Sequence, residues 1–343
     1  MIKPPNRQIL QQYVCLAPFT DISIREDASY VCCWSTLPIP YSDSDSGKRN
    51  LLTQIQESVT NGTYMHCDPS CVSLNKLVHT GQPTDAFVTK EYFVEKYANV
   101  KSTMNTVYLN FDKSCNLRCK SCRNELIPNS RDIKVIEKKK QLLDWVEREF
   151  ADDVKTVYMS GSGDPLFSNL YREFLINFDK TKYPKLQGMF LQHNGMLLNE
   201  SLWLKLNARE YLTNMDISVD AATKDTYENL IRQGGKWDTL IANIKFLASQ
   251  PTIRDLRLSM VVSGLNFREM KGFCDLIDDL NKTACVTIKP LFRQVVNWGT
   301  YTESEFKELS VFDPTHRHFN EFLTEFSKVR DREDLIHNFH HLP

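Results

Sequence analysis

The stretch YLNFDKSCNLRCKSCRNE, residues 108–125, places three cysteines directly after a short apolar run. The run Thr106–Phe111 is rich in β-branched and aromatic residues, which predicts a buried strand. The spacing Cys115-x3-Cys119-x2-Cys122 then brings three thiols onto one short loop. Three thiolates can hold three irons of a [4Fe–4S] cluster, and they leave the fourth iron without a protein ligand. A catalytic metal centre needs an open coordination site of this kind.

Structural zinc is the alternative metal for the same triplet. A structural zinc ion takes four protein ligands, usually from two separated cysteine pairs, and no fourth ligand follows closely in the sequence. The spacing therefore favours an iron–sulfur cluster, and zinc stays open at this point.

Six short strand patterns alternate with longer amphipathic segments from about residue 105 onward. The predicted strands are Thr106–Phe111, Thr156–Ser160, Gly188–Gln192, Asn214–Val219, Leu256–Val262 and Val286–Leu291, and the predicted helices lie near 132–150, 168–178, 200–210, 223–248 and 267–281. This alternation predicts parallel βα units with right-handed crossovers. Since six units are too few for an eight-fold closed barrel, we expect an α/β fold with a partial (β/α)6 barrel. In such a barrel, ligands bind at the carboxyl ends of the strands.

A second group of cysteines lies in the first 71 residues. Cys15 and Cys32 lie at the two ends of an alternating segment that predicts a β-hairpin, and HCDPSC brings Cys67 and Cys71 together on one turn. Two pairs of thiols satisfy a closed four-ligand site, which suits either structural zinc or a [4Fe–4S] cluster. Four of the five cysteines in this region suffice, so either Cys32 or Cys33 supplies the second ligand.

Composition and charge limit the classes of function. The 343 residues carry a formal net charge of -1, so electrostatics give no reason to expect a nucleic-acid or membrane partner. No apolar run reaches the roughly 18 residues of a membrane span, and the N-terminus lacks a signal-peptide stretch, so we expect a cytoplasmic protein. Disulfides are rare in the reducing cytosol, so ten cysteines there favour metal or redox chemistry.

The central region resembles the radical SAM superfamily, whose enzymes cleave S-adenosylmethionine (SAM) reductively. CNLRCKSC is similar to the CxxxCxxC signature of that superfamily, SGSGDP (160–165) to its GGEP-type motif, and HNG (193–195) to a TNG segment. NMDISVDAATKDTYENLIRQGG, residues 214–235, is also close to a family stretch. The resemblance covers roughly residues 105–292 and implies the partial barrel predicted above.

The resemblance also implies roles for residues at the strand ends. The SAM-binding [4Fe–4S] cluster would be held by Cys115, Cys119 and Cys122. The SAM amino group would be held by Gly161, Ser162, Gly163 and Asp164, with Asn194 after the third strand. The ribose or carboxylate would be faced by Ser218 and Asp220, and the carboxylate would be contacted by Arg232. The residue before the third cysteine is often aromatic in the family, whereas here it is Ser121. Stacking on the adenine therefore comes from another residue or is weaker.

The N-terminal cysteines resemble those of the twitch or SPASM-type auxiliary-cluster domain of radical SAM enzymes. The C-x-x-P-(aromatic) opening at Cys15 and the CC pair before an aromatic residue carry this resemblance. It implies an auxiliary [4Fe–4S] cluster on Cys15, Cys32, Cys67 and Cys71, with Cys32 preferred to Cys33 because the first of the pair aligns with the family ligand. The module precedes the barrel, as in a phage-type twitch group that the segments NWGTY (297–301) and DPTHRHFNEFL (313–323) also resemble.

These observations predict three regions and one function. Residues 1–100 would form the twitch/SPASM-like domain, 101–300 the radical SAM barrel and 301–343 a C-terminal extension. The resemblance implies a 5′-deoxyadenosyl radical that abstracts hydrogen from an unidentified small-molecule or peptide substrate. It also implies electron transfer through the auxiliary cluster and an external donor such as flavodoxin or ferredoxin. The alternative is a non-enzymatic zinc protein whose cysteine knuckles serve structure or nucleic-acid binding.

Overall fold

A computed structural model describes residues 5–32, 34–42, 44–97, 103–123, 125–159, 162–297 and 299–342. Of the residues discussed above, Cys33, Ser160, Gly161 and Trp298 lie outside these ranges. The strands within them are β1 Tyr13–Cys15, β2 Asp21–Ile24, β3 Ala28–Tyr30, β4 Ile39–Pro40, β5 Phe87–Thr89, β6 Thr106–Leu109, β7 Arg118–Cys119, β8 Thr156–Met159, β9 Gly188–His193, β10 Leu212–Ser218, β11 Arg232–Gln233, β12 Asp255–Val262, β13 Ile288–Gln294 and β14 Ile336–His337.

The helices lie between these strands. The α-helices are α1 Ala17–Thr20, α2 Asp45–Thr60, α3 Val72–Thr80, α4 Lys90–Lys96, α5 Ile133–Phe150, α6 Asn169–Ile176, α7 Glu200–Trp203, α8 Trp237–Ala248, α9 Met270–Asn281, α10 Glu303–Leu309 and α11 Phe319–Ser327. Short 3₁₀ turns cover Arg7–Gln11, Lys180–Lys182, Asn207–Tyr211 and Phe267–Glu269, and a π-helical turn covers Thr226–Ile231. Within the described ranges, no helix combines the length and apolar character that crossing a membrane requires.

One sheet runs through the molecule in the order β14-β13-β12-β10-β9-β8-β6-β2-β3-β4. Strands β6, β8, β9, β10, β12 and β13 pair in parallel in the order in which they occur along the chain. This confirms an α/β fold with a parallel sheet, as expected for a partial barrel. All six predicted strands form, and their ends differ from the predicted ends by at most three residues.

The helix predicted near 223–248 is wrong as one continuous element. The π-helical turn ends at β11, and α8 begins four residues after that strand. Gly234 lies between them with φ of 94°, a conformation that glycine adopts without steric cost. The interruption lets β11 pair antiparallel with β7, so that Arg232 lies opposite Cys119.

The N-terminal region both extends the barrel sheet and has an apolar core of its own. β2 pairs in parallel with β6, and the sheet continues through the antiparallel strands β3 and β4. A separate buried cluster contains Leu10, Val14, Val59, Tyr64, Leu77, Phe87 and Phe93. The hairpin predicted between Cys15 and Cys32 forms only over 21–30, because Cys15 lies on β1, which pairs with β5 instead. The domain boundary near residue 100 stays a prediction.

The C-terminal segment 335–342 packs against both the sheet and the N-terminal region. β14 pairs in parallel with β13, and Phe339 is 1% exposed. The His337 and His340 rings lie 4.4 Å apart, and the His341 ring lies 5.9 Å from that of His79 on α3. Four imidazoles therefore meet where the C-terminal segment lies against α3.

These histidines predict a loss of stability in mild acid. Burial and the neighbouring imidazoles lower the pKa of His337, His340 and His341 to about 4 each, from an ordinary 6.5, and Lys76 also lowers the pKa of His337 and His340. Between these pH values the unfolded chain binds protons that the folded chain excludes. Their contribution to stability is therefore present above pH 6.5 and is lost as the pH falls towards 4.

We expect thermal unfolding to give a lower Tm at pH 5 than at pH 7. The triple variant H337Q/H340Q/H341Q should lose most of that difference, whereas H318Q, on another part of the C-terminal region, should retain it. An unchanged pH dependence in the triple variant would contradict this prediction.

Candidate functional site

The three central cysteines lie on the loop that leaves the carboxyl end of β6. Cys115 and Cys119 are buried, and with Cys122, Leu117 and Met196 they form one contact cluster. Two backbone hydrogen bonds shape the loop: the Cys115 N–H donates to the Ile127 carbonyl at 2.8 Å, and the Cys122 N–H donates to the Cys119 carbonyl at 3.1 Å. The predicted triplet is thus brought together where a parallel sheet collects its ligands.

Burial holds the first two of these thiols in their neutral form. It raises the pKa of Cys115, which a hydrogen bond from the Leu117 N–H opposes, and it raises the pKa of Cys119 to about 11, which the charge of Arg232 opposes. A metal that binds them must displace their protons, so metal binding here releases protons and weakens in acid.

Arg232 connects the second cysteine to the end of β10. Its Nη1 donates to Cys119 Sγ at 3.2 Å, and its Nη2 lies 2.7 Å from Asp220 Oδ2. The guanidinium is almost enclosed, with 9% of the side chain exposed, and the Asp220 side chain is fully buried. The structure therefore places two predicted site residues in one buried ion pair beside a predicted cluster ligand.

Asp220 has a strained backbone that its surroundings hold in place. Its φ is 64°, in the left-handed region that non-glycine residues seldom adopt. The Asp220 carboxylate accepts hydrogen bonds from the Val261 N–H at 2.7 Å and the Ser121 hydroxyl at 3.3 Å, and its carbonyl accepts one from the Asn266 amide at 2.8 Å. Strain fixed in this way is typical of functional sites. Ser218, two residues earlier, is half-buried and lies opposite Ser259 on β12.

A second arginine, Arg123, contacts the third cysteine and was not predicted from the sequence. Arg123 donates from Nε to Cys122 Sγ at 3.4 Å, from Nη1 to the Lys113 carbonyl at 2.8 Å and from Nη2 to the Ser162 carbonyl at 2.7 Å. It therefore joins the cysteine loop to the loop that follows β8. The sequence signal that could have identified Arg123 is its position directly after the last cysteine, where a cation stabilises thiolate ligands.

Residues 162–165, after β8, pack directly on the cysteine loop. The Asp164 N–H donates to the Ser114 carbonyl at 2.8 Å. The buried Asp164 carboxylate accepts hydrogen bonds from three backbone N–H groups, those of Leu166, Phe167 and Asn194. Asp164 therefore organises the backbone around the site.

The loop that follows β9 also reaches the cysteine loop. The Asn194 amide donates to Asn116 Oδ1 at 2.8 Å and lies 3.9 Å from Cys115 Sγ. The Asn194 N–H also donates a hydrogen bond to Asp164. The predicted motif after β8, which contains Asp164, and the one after β9, which contains Asn194, therefore both lie next to the first cysteine. Ser162 and Gly163 lie in the same contact region, whereas Gly161 lies outside the described residues.

Gly163 is required by this close packing. A Cβ at this position would lie 2.4 Å from the Ser114 carbonyl oxygen and 2.8 Å from that of Asp112, both backbone atoms that cannot rotate away. We expect Gly163→Ala to displace the cysteine loop and to lower the iron content after reconstitution, measured by a colorimetric iron assay. Gly272→Ala on α9, where the nearest atom is a side-chain carbon at 3.3 Å, is the matched control and should bind iron normally. Full iron in Gly163→Ala would contradict the prediction.

The polar atoms at the site include three without a hydrogen-bond partner in the described part of the chain. They are Tyr227 Oη, Arg232 Nε and Tyr301 Oη, all buried. The charges of Cys119 and Asp220 raise the pKa of both tyrosines in addition to burial, which places both phenols near the same two residues. Unpaired buried donors are costly, so a polar ligand that satisfies them is expected here. Three thiols plus these donors fit a thiolate-bound cluster together with a charged, polar cofactor such as SAM.

The four N-terminal cysteines also come together. Burial raises the pKa of Cys15, a hydrogen bond from the Ala17 N–H opposes this, and the charges of Cys32, Cys71 and Cys67 raise the pKa further. Burial likewise raises the pKa of Cys32 and Cys67 to about 12. Thiols that influence one another in this way lie close in space, as a shared site requires.

The backbone around several of these sulfurs is arranged to receive a negative charge. A backbone group two residues further along the chain lowers the pKa of each of four cysteines and so opposes the effect of burial: Ala17 for Cys15, Trp34 for Cys32, Ser73 for Cys71 and Leu117 for Cys115. Hydrogen bonds from the backbone stabilise thiolates and tune the potentials of iron–sulfur clusters.

The spacing of the ligands bears on the choice of metal. Within the described ranges, no group of three or more His, Cys, Asp or Glu side chains is close enough to enclose one metal ion. A [4Fe–4S] cluster distributes its thiolates over separate irons, so its ligands lie further apart than the four ligands of one zinc ion.

The match to a known family covers the region that contains the cysteine loop. A model described as the radical SAM superfamily matches residues 109–277. The chain contains a radical SAM superfamily domain. A domain of this superfamily implies a [4Fe–4S] cluster and reductive cleavage of SAM. The radical SAM domain includes the predicted residues from Cys115 to Arg232, and it excludes the N-terminal cysteines and the segment 297–301.

Known proteins resemble the chain at low identity. GTP 3′,8-cyclase from Petrotoga mobilis (strain DSM 10674 / SJ95) is 26% identical over 224 residues, which cover 64% of this chain and 66% of the cyclase. Among solved structures, native anSMEcpe with bound AdoMet is 19% identical, with 56% of this chain and 51% of that chain covered and a TM-score of 0.41. TYW1 with a lysine-pyruvate adduct is 15% identical, with 74% and 80% covered and a TM-score of 0.42. At such TM-scores the likeness gives no information on substrate.

Proposed function

We propose that this protein is a radical SAM enzyme that abstracts a hydrogen atom from a polar substrate. The observation that carries the proposal is the position of Cys115, Cys119 and Cys122, which share one contact cluster at the carboxyl end of β6 inside the radical SAM domain. When bound, the cluster and SAM together supply a 5′-deoxyadenosyl radical. The protein supplies the ligands, the charges and the exclusion of water.

Two arginines offset the negative charge of the thiolates. Arg123 donates to Cys122 and Arg232 donates to Cys119, so two of the three cysteines have a guanidinium within hydrogen-bonding reach. Arg232 has one nitrogen, Nε, without a partner in the described residues, and this atom is available to the carboxylate of SAM. Gly161, Ser162, Gly163 and Asp164 would hold the SAM amino group, with Asn194 beside them.

The charged residues on one face of β10 and β13 are suited to binding a polar substrate. Met215 and Ile217 on β10 pack into the main apolar core, so the alternate residue Asp216 points to the opposite face. Asp216 is fully buried, lies 2.6 Å from Arg293 of β13, and has one carboxylate oxygen without a partner in the described residues. A buried carboxylate with a free acceptor suits a substrate that brings hydrogen-bond donors of its own. A small molecule or a peptide fits this description, and an external flavodoxin or ferredoxin would supply the electron.

We further propose an auxiliary [4Fe–4S] cluster on Cys15, Cys32, Cys67 and Cys71. Its support is the convergence of the four thiols and the backbone groups that lower the pKa of three of them. Pairing of the Ser35 and Cys67 backbones brings the second pair of cysteines next to the first. A closed cluster of this kind would transfer electrons to or from the substrate radical.

Cys67→Ala separates the roles of the two clusters. We expect this variant to lose about four irons per chain but to retain some formation of 5′-deoxyadenosine, because the SAM-binding triplet stays intact. Multiple turnover should be impaired, as followed by the yield of 5′-deoxyadenosine over time under anaerobic conditions. Wild-type iron content in this variant would exclude Cys67 as a cluster ligand.

Anaerobic reconstitution with iron and sulfide tests the proposed function as a whole. We expect a brown protein with about eight irons per chain that forms 5′-deoxyadenosine from SAM and dithionite. A colourless protein that takes up only zinc under the same conditions would instead support the zinc-protein alternative. Deuterium transfer from labelled metabolites or peptides into 5′-deoxyadenosine would then identify the substrate.

A further inference from the structure

Residues 297 and 299–301 form a tight turn shortly after β13. Asn297 Oδ1 accepts hydrogen bonds from the N–H groups of Gly299, Thr300 and Tyr301 at 3.0, 3.1 and 3.2 Å, and its amide donates to the Tyr301 carbonyl at 3.0 Å. Gly299 has φ of 82°, which completes the turn. One side chain therefore organises the whole segment, and the position of Tyr301 is fixed relative to Asn297.

This turn is joined to the cysteine loop. Thr300 Oγ1 donates to the carbonyl of Cys122 at 3.0 Å, although the two residues are 178 positions apart in the sequence. The Tyr301 hydroxyl is buried and has no hydrogen-bond partner in the described residues. Because Tyr301 follows Thr300 directly, it lies beside the cysteine loop.

We propose that Tyr301 is a SAM-binding residue that contacts the adenosyl part of the cofactor. The inference rests on the proposed function. The charged groups of the site, Arg232 and Asp220, suit the charged amino-acid end of SAM, whereas a neutral phenol suits the uncharged base and ribose. An aromatic ring can also pack against a nucleobase. Ser121 gives the cysteine loop no ring at the position where relatives often have one, and Tyr301 supplies a ring from another part of the chain.

Binding of SAM to variants of the reconstituted protein tests this assignment. Tyr301→Phe removes only the hydroxyl, and we expect the Kd for SAM to rise about 5-fold, the usual effect of one hydrogen bond. Tyr301→Ala removes the ring as well, and we expect a rise of about 30-fold or more. Both variants should keep the wild-type iron content and Tm. Tyr92→Phe and Tyr92→Ala, at an exposed tyrosine on α4, are the matched controls and should bind SAM like the wild type.

Anaerobic equilibrium dialysis gives the Kd, and the change in the EPR signal of the reduced cluster on adding SAM gives a second readout. Unchanged SAM binding by Tyr301→Ala would overturn the inference and leave the proposed function intact. A loss of iron in both Tyr301 variants would assign the residue to the structure of the cysteine loop and would also overturn it. Failure of the fully iron-loaded wild type to bind SAM would refute the proposed function itself.

Discussion

Cys119→Ser is expected to abolish the formation of 5′-deoxyadenosine. Serine matches cysteine in size but is a poor ligand for iron, so the triplet would keep only Cys115 and Cys122. The variant also removes the sulfur that accepts a hydrogen bond from Arg232 at 3.2 Å. We expect about four fewer irons per chain than in the wild type and no detectable cleavage of SAM, as measured by an iron assay and by liquid chromatography of the nucleoside product.

Cys285→Ser is the matched control for this experiment. Cys285 is an exposed free thiol that lies between α9 and β13, away from both cysteine groups. We expect this variant to keep the iron content and the SAM cleavage of the wild type. Full SAM cleavage by Cys119→Ser would refute the assignment of the triplet, since the proposed chemistry would then have no cluster to start from.

The strands of the barrel could be predicted because their pattern is local. A run such as Thr106–Phe111 is apolar and rich in strand-forming residues whatever surrounds it, and the observed strand over 106–109 follows that pattern. The break in the helix near 223–248 could not be predicted in the same way. It depends on Arg232 pairing with Cys119, 113 positions earlier, and the amphipathic pattern of the segment carries no sign of that contact.

The position of the N-terminal region is another feature that the sequence did not predict. The cysteine pattern carries no sign that β2 pairs in parallel with β6 and extends the barrel sheet. Short strands of three or four residues specify their partner weakly, because many edges of similar polarity compete for them. The tertiary packing of Ile22 and Ile24 into the main core decides the pairing.

Within the candidate site, the sequence indicates residues that belong to compact motifs and gives no sign of those that come from elsewhere in the chain. Cys115, Cys119 and Cys122 are recognisable from their spacing alone. Arg123 was missed because a single arginine on a loop is most often solvated. Tyr301 was missed because only the tertiary structure brings it to the cysteine loop: its neighbour Thr300 donates a hydrogen bond to Cys122, 178 positions earlier. No local pattern in the sequence indicates which loop covers a site.

Arg232→Met is expected to destabilise the protein by about 3–5 kcal/mol, because it leaves the buried charge of Asp220 without its counter-ion. Methionine preserves most of the length of the side chain, so the loss of charge dominates. Chemical denaturation of the metal-free protein measures this free energy without interference from cluster loading. The exposed pair of Arg268 and Glu321 provides the control, and Arg268→Met should cost about 1 kcal/mol or less.

The double variant R232M/D220N separates the ion pair from the packing of the arginine. Asparagine keeps an oxygen that can accept the Val261 N–H, which lies 2.7 Å from the Asp220 carboxylate, but it carries no charge. We therefore expect the double variant to be more stable than Arg232→Met alone, with a coupling free energy of about 1–3 kcal/mol. A double variant no more stable than Arg232→Met would show that the arginine acts through packing and through its hydrogen bond to Cys119. In that case the strained conformation of Asp220 would not depend on the ion pair, and its role would have to be sought in the contacts of its backbone with Asn266 and Ser259.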